Sequence, residues 1–286
     1  MIKSILVPMG SSRFSSCALK LAAGLSSRFG AKIQLMYVED ISKIKNIALA
    51  FKGAGGVSLD LPILGQEVEQ VREIRQEIEA EKREVWRMYD EIKPQIKSQH
   101  AFLSREGEVS EEILCETRKV DLVVMGKSLL KDAVDCRQVQ SALIRVIQRT
   151  NKPVLAVCEN QDIGNRFLVA YDGSRAANNA LRTLGDFLPF TSPEITILAV
   201  KKTEWDARSV LGEGEQYFEP YGIRAEKIWK TGSASENIIA TAREKGASMI
   251  VMGGYGENKL RELLIGSTTE KVLKGVDIPV LVAPAV

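Results

Sequence analysis

The chain has 286 residues, 45% of them apolar and 27% charged, with a formal net charge of +2. That length accommodates two domains of ordinary size, and the interleaved signs of charge nominate no nucleic acid or other polyanion as a partner. No apolar run approaches the roughly 18 residues of a membrane span, and the short apolar start at 5–7 is too brief for a signal peptide, so a cytoplasmic protein with no membrane partner is expected.

Four cysteines (Cys17, Cys115, Cys136, Cys158) are scattered without a C-x-x-C pair, and His100 is the single histidine. A Cys/His metal site therefore has little material, the cysteines are expected to behave as small buried hydrophobes, and His100 as a structural side chain.

Taken in order, the chain carries one pattern twice. SILVPMGS (4–11) and RFLVAYDGS (166–174) are both short apolar strands ending in Gly-Ser. Helix-period segments follow at 15–29 and 176–188, and further strands at 32–38 and 195–200. VDLVVMG (120–126) then matches ASMIVMG (247–253), and KPVLAV (152–157) matches IPVLV (278–282). A repeated strand–helix unit predicts parallel sheets wrapped by helices, with ligands at the carboxyl ends of the strands.

The first copy holds an insertion between its second and third strands. Residues 52–65, with Gly53, Gly55, Gly56, Pro62 and Gly65, are expected to form a loop. Residues 66–99 carry Val71, Ile74, Ile78, Val85, Met88 and Ile92 as one apolar stripe at helical spacing, which predicts a helix packed on the sheet of its own copy. Pro94 should end or kink it. The polar stretch 158–164 suggests a boundary, giving domains of 1–160 and 161–286.

The stretch richest in binding signals is MGGYGENKLRELLIGSTTEKV (252–272). It begins at the end of a buried strand with Gly253, followed by Gly256 after two residues and Gly266 after nine more, and Ser267, Thr268 and Thr269 then open a helix. Strand-end glycines allow close approach of a ligand to the backbone. A helix start rich in hydroxyls offers unpaired N–H groups to an anion. Each half of the signal also suits an ordinary turn or N-cap; together they could hold a phosphate chain.

This spacing resembles the nucleotide-binding branch of the universal stress protein family, and the four repeated segments of each copy resemble that family over nearly the whole chain. The resemblance implies two tandem Rossmann-like (adenine nucleotide alpha hydrolase-like) α/β domains, each a five-stranded parallel sheet flanked by helices. It implies adenine contacts from Asp172 and from the backbone near Ala170 and Val200. Tyr171 precedes the acid and would either narrow the adenine slot or point into the core. Met252, Gly253, Tyr255, Gly256, Gly266, Ser267, Thr268 and Thr269 would surround ribose and phosphates. ATP, with or without Mg²⁺, is the implied cofactor. By the same resemblance the closing strands 153–157 and 279–282 would pair as a pseudo-dimer within one chain; separately, the apolar stripe of the long helix could serve as a partner seam through which two chains assemble into a homodimer.

The first copy departs from the pattern. Met9 stands in place of the acid, Lys127, Ser128 and Leu129 follow Gly126 without a second glycine, and Gln140-Ser141 replace Gly-Ser. Its nucleotide site is expected to be degenerate, with Lys127 a solvated strand-end lysine. No G-x-x-x-x-G-K-[ST] and no G-x-S-x-G segment occurs, so an enzyme is not expected. The reading is an ATP-binding stress or signalling protein; the alternatives are an interaction scaffold that no longer binds nucleotide, and a weak ATPase.

Overall fold

A computed structural model describes residues 1–41, 44, 61–127, 136–158, 163–190, 192–254 and 267–285, with 61–68, 136–141 and 190 described by their backbone alone. The elements run β1 (Ser4–Met9), α1 (Arg13–Phe29), β2 (Lys32–Asp40), α2 (Leu61–Ile92), β3 (His100–Gly107), α3 (Val109–Thr117), β4 (Leu122–Gly126), α4 (Cys136–Arg149) and β5 (Val154–Val157). The pattern then repeats as β6 (Arg166–Ala170), α5 (Arg175–Gly185), β7 (Glu194–Val200), α6 (Glu204–Phe218), β8 (Glu226–Lys230), α7 (Ala234–Glu244), β9 (Met249–Gly253), α8 (Ser267–Gly275) and β10 (Val280–Ala283).

Short apolar strands buried on both faces need helices on both faces. Along β1 the side chains of Ile5 and Val7 enter one core layer with Ile33, Leu35, Phe167 and Val169. Leu6 enters the other with Met36, Val123, Leu168 and Ile250. Helices α1, α2, α5 and α6 cover the first face; α3, α4, α7 and α8 cover the second.

All strands form one ten-stranded sheet in the order β3-β2-β1-β4-β5-β10-β9-β6-β7-β8. Every neighbouring pair is parallel except β5 and β10, which run antiparallel with Leu155 opposite Leu281. The two parallel five-stranded halves are thus joined through their last strands. This covers two edges that would otherwise be open. Phe29 and Phe187 add an edge-to-face contact across the join at 5.2 Å.

The order 3-2-1-4-5 within each half reverses beside the first strand, and crevices for ligands form at such reversals, outside the carboxyl ends of the strands. In the second half that point lies between β6 and β9.

The insertion differs from expectation at one end. Residues 61–65 belong to the helix rather than to a loop; the GAGG run at 53–56 lies outside the described residues. At the other end α2 stops at Ile92, before a 3₁₀ turn containing Pro94. Val85, Met88 and Ile92 are buried against the first half's own sheet, whereas Val71, Ile74 and Ile78 are only half-buried. His100 opens β3, donates from Nδ1 to the Ser98 carbonyl (3.0 Å) and lies edge-on to Tyr89. Of the cysteines, Cys158 is buried, Cys17 half-buried and Cys115 exposed, so the expectation of burial fails for Cys115.

Candidate functional site

Strand registers fix which residues of the two halves correspond. Ile5 pairs with Ile33 and Leu122, and Phe167 pairs with Ile195 and Met249. Superposing these sets Pro8 on Ala170, Met9 on Tyr171 and Gly10 on Asp172. Matching the Gly-Ser dipeptides had placed Met9 opposite Asp172, one residue out of step. The helix caps agree with the registers, since Ser12 and Ser174 are the N-caps of α1 and α5.

In the second half, Ala170 and Val200 are half-buried and pack with fully buried Met252 on the face covered by α7 and α8. They form an apolar shelf at the carboxyl ends of β6, β7 and β9. Tyr171 turns to the opposite face. It is buried among the α5 and α6 packing and its hydroxyl donates to Asn178 Oδ1 at 2.8 Å. Burial, with the Glu213 carboxylate next, raises its pKa above the ordinary tyrosine value.

Asp172 closes a local turn: its Oδ1 accepts from the Ser174 N–H at 3.0 Å. Gly173 supplies the left-handed conformation that the turn requires, with φ of 83°. The Asp172 carbonyl accepts from Lys201 Nζ at 2.9 Å, which draws that ammonium to the strand ends.

Gly253 has a packing reason for lacking a side chain. A Cβ there would lie 2.7 Å from Ala176 Cβ and 2.8 Å from the Ala177 nitrogen, so the glycine admits α5. Gly126 does the same for α1, where a Cβ would meet the Phe14 carbonyl at 2.6 Å.

At the start of α8, Ser267 is exposed and Thr268 half-buried. Thr269 is buried, and its hydroxyl donates to the Gly254 carbonyl at 3.2 Å, tying the helix to the end of β9. Tyr255, Gly256 and Gly266 lie outside the described residues. The described site residues therefore divide into two groups. Ala170, Val200, Asp172, Ser267 and Thr268 stand at the carboxyl end with exposed or half-buried surface, while Tyr171, Met252 and Thr269 are built into the fold.

Three residues escaped the motif search. By register Lys201 and Lys202 follow Val200 as Glu39 and Asp40 follow Val38, and Ser233 matches Glu108. Each substitution moves the second half toward positive or neutral. The signal was available in the sequence as VED against VKK and GEVSEE against GSASEN.

The first half keeps a cleft at the matching place. It has a volume of about 310 Å³ and is lined by apolar Pro8, Met36, Val38 and Met125, and by the carboxylates of Asp40 and Glu108. Glu108 caps α3, accepting from the Glu111 N–H at 2.9 Å and the Ser110 hydroxyl at 2.7 Å, and Arg145 pairs with it at 3.1 Å. Burial pushes its pKa up, but these hydrogen bonds outweigh burial and hold it below the ordinary glutamate value. That helix N-terminus already has its anion.

Lys127 departs most from expectation. It is buried at 3% exposure rather than solvated, and its ammonium points into the second half. Gln140 and Ser141 have no described side chains.

Two parallel α/β halves of Rossmann-like order, joined by their last strands, define a tandem doubly wound protein. The family model of the universal stress protein family matches residues 1–157 and 199–284. The chain belongs to that family. It is 26% identical to a universal stress protein of Synechocystis over 98% of this chain and 99% of that one. It is 35% identical over 82 residues to a universal stress protein of Methanocaldococcus jannaschii, covering 29% of this chain and half of that one. A crystal structure of a universal stress protein from Archaeoglobus fulgidus shares the fold, with a TM-score of 0.66, 20% identity, and coverage of 99% of this chain and 98% of that chain. The family match skips 158–198, so the Asp172 turn lies outside it.

Proposed function

We propose that the protein is a non-catalytic adenine-nucleotide-binding module for stress response or signalling, in which one domain, residues 161–286, holds ATP and the other, residues 1–160, does not. The observation that carries this reading is the charge difference at matched positions. Lys201, Lys202 and Ser233 stand in the second half where Glu39, Asp40 and Glu108 stand in the first.

The residues fit such a ligand in kind. Ala170 and Val200 offer an apolar shelf for a base, and Asp172 a carboxylate beside it. The first-turn N–H groups of α8, with Ser267 and Thr268, suit phosphate oxygens. Lys202 is exposed at the rim and would favour an anion across a few ångströms. In the first half Glu108, paired with Arg145, already occupies the N-terminus of α3, and Asp40 adds a second carboxylate to the cleft. The resemblance of the 252–272 stretch to nucleotide-binding family members is the second support. A divalent cation would arrive with the phosphates; among the described residues no cluster of three metal-ligating side chains occurs.

The test is to purify the protein without added nucleotide, denature it, identify and count what is released by chromatography, and titrate the emptied protein with ATP. One adenine nucleotide per chain is expected. Two per chain would overturn the assignment of the first half, and none released or bound would leave the scaffold reading. Mg²⁺-dependent turnover well above background would replace the non-catalytic reading by that of an ATPase.

A further inference from the structure

Gly126 and Gly253 end matched strands, so the next residues, Lys127 and Gly254, also match. Their backbones behave alike: the Lys127 N–H donates to the Val157 carbonyl at 2.6 Å and the Gly254 N–H to the Ala283 carbonyl at 2.8 Å. Their side chains do not. Gly254 has none, whereas Lys127 extends across the join and donates from Nζ to the carbonyls of Val276 (2.6 Å) and Leu273 (3.2 Å). Leu273 lies in the last turn of α8 and Val276 immediately follows it.

An ammonium this deeply buried loses hydration and persists only with compensating partners. Here it has two carbonyls at the negative end of a helix, an arrangement that favours a cation. Burial lowers the pKa of Lys127 from the ordinary lysine value, opposed by nearby Cys158 and Asp277. Cys158, from the end of β5, leans on the same seam, with Sγ 3.8 Å from the Val276 carbonyl. Arg243 of α7 takes the intervening Gly275 carbonyl at 3.1 Å.

Helix α8 has nine residues, so its two ends stand roughly 13 Å apart at 1.5 Å per residue. Its N-terminal end is pinned within its own half by Thr269 on the Gly254 carbonyl. Its C-terminal end is held by Lys127 of the other half together with Arg243 of its own. A short rigid helix fixed at one end by Lys127 presents its free N–H groups at a place that Lys127 helps to set.

We propose that Lys127 is a positioning residue for the anion site of the second half, so that the first half, lacking a nucleotide site of its own, serves its neighbour by seating α8. The link is one-way, because Gly254 offers no counterpart toward α4. The ligand part of this inference rests on the reading given above; the seating of α8 does not.

The experiment uses the full chain in four forms: wild type, Lys127→Met, Lys127→Arg and Cys158→Ala. Amide hydrogen exchange is followed without ligand, and ATP affinity is measured by titration. In Lys127→Met, exchange of the α8 amides is expected to rise about tenfold relative to those of β9 and β10, since two buried carbonyls lose their donor. ATP affinity should fall about tenfold with it. Lys127→Arg, which keeps a donor and a charge, should recover part of both and serves as the informative variant if Lys127→Met does not fold. Cys158→Ala removes a thiol that itself touches Lys127 and the Val276 carbonyl, so it should lower the melting temperature while loosening α8 and weakening ATP much less than Lys127→Met does. Unchanged α8 exchange in Lys127→Met, or equal effects in Cys158→Ala, overturns the seating. Loosened α8 with unchanged affinity overturns its connection to the ligand. A wild-type protein that binds no ATP overturns the proposed function, and the exchange data still decide the role of Lys127.

Discussion

The carboxyl ends of the two halves share strand registers and differ in the charge of matched residues. Around the first, acids occupy the last two positions of β2 and the N-cap of α3, where Glu108 neutralises its own helix. Around the second, lysines follow β7 and a serine caps α7. Asp172 reverses the trend, since its partner is Gly10. One fold therefore carries two electrostatic surfaces, and the comparison teaches that the binding character of this architecture resides in a few strand-end side chains rather than in the strands.

The most damaging way to break the comparison is to open the seam between the halves. Leu155 and Leu281 face each other there, each with 0% exposure. Leu155→Ala and Leu281→Ala should each cost about 2–5 kcal/mol in denaturant unfolding, and the double variant should cost less than the sum because the two share one cavity. Full additivity would show that the two leucines are not coupled across the join. The strand-end glycines rank next. Gly126→Ala and Gly253→Ala each drive a Cβ into helix backbone at 2.6–2.8 Å, and each should cost about 1–3 kcal/mol. Similar losses would confirm matched packing roles. A Gly253→Ala protein of unchanged stability but lost ATP affinity would return that glycine to the ligand.

Smaller changes sharpen the electrostatic contrast. Lys202→Glu installs the sign of Asp40 in the second half and should weaken ATP about tenfold at low salt, an effect screened as ionic strength rises. Its expected cost in stability is slight, because the residue is exposed. Asp172→Ala removes both the turn bond to Ser174 and the carboxylate, and should cost about 1 kcal/mol of stability. Adenine nucleotides should lose more affinity than guanine nucleotides; an equal loss would leave Asp172 as a turn residue.

Much of the fold was legible because the signals are local and duplicated. Apolar runs, proline before the closing strands and repetition of four segments announced two parallel α/β halves; the pairing of β5 with β10 came from the family resemblance, and the order of the strands only from the structure. The candidate site was legible in place but not in detail. Tyr171 and Asp172 are neighbours on one strand end, and only the pleat decides which points to the core and which to the turn. Gly253 has a packing role that its letter does not announce, because a glycine required by a neighbouring helix and one required by a phosphate look the same in a sequence. Lys127 was misjudged because its partners, Leu273 and Val276, are backbone carbonyls 146 and 149 residues away. No side-chain pattern records such a contact.

The finest contrast lies at the opposite ends of the strands. Asp121 precedes β4 and its Oδ2 accepts from the N–H groups of Lys3 and Ser4 (2.9 and 3.0 Å) and from the Ser4 hydroxyl (3.0 Å). Ser248 holds the matching place before β9, accepting from the Arg166 N–H at 3.1 Å. One knot titrates and the other does not. Burial alone would raise the Asp121 pKa, but the hydrogen bonds from Lys3 and Ser4 outweigh it and hold the carboxyl below its ordinary 3.8. A carboxylate with a depressed folded-state pKa contributes stability that is present above its unfolded pKa and lost as pH falls through its folded one. The stability difference between wild type and Asp121→Asn should therefore be constant above about pH 5 and shrink progressively below about pH 4, with a plateau of roughly 1 kcal/mol or less. Ser248→Ala should give a difference that does not change over the same range. A pH-independent gap for Asp121→Asn would show that its carboxylate has the same affinity for protons folded and unfolded, and that the two knots are electrostatically equivalent after all.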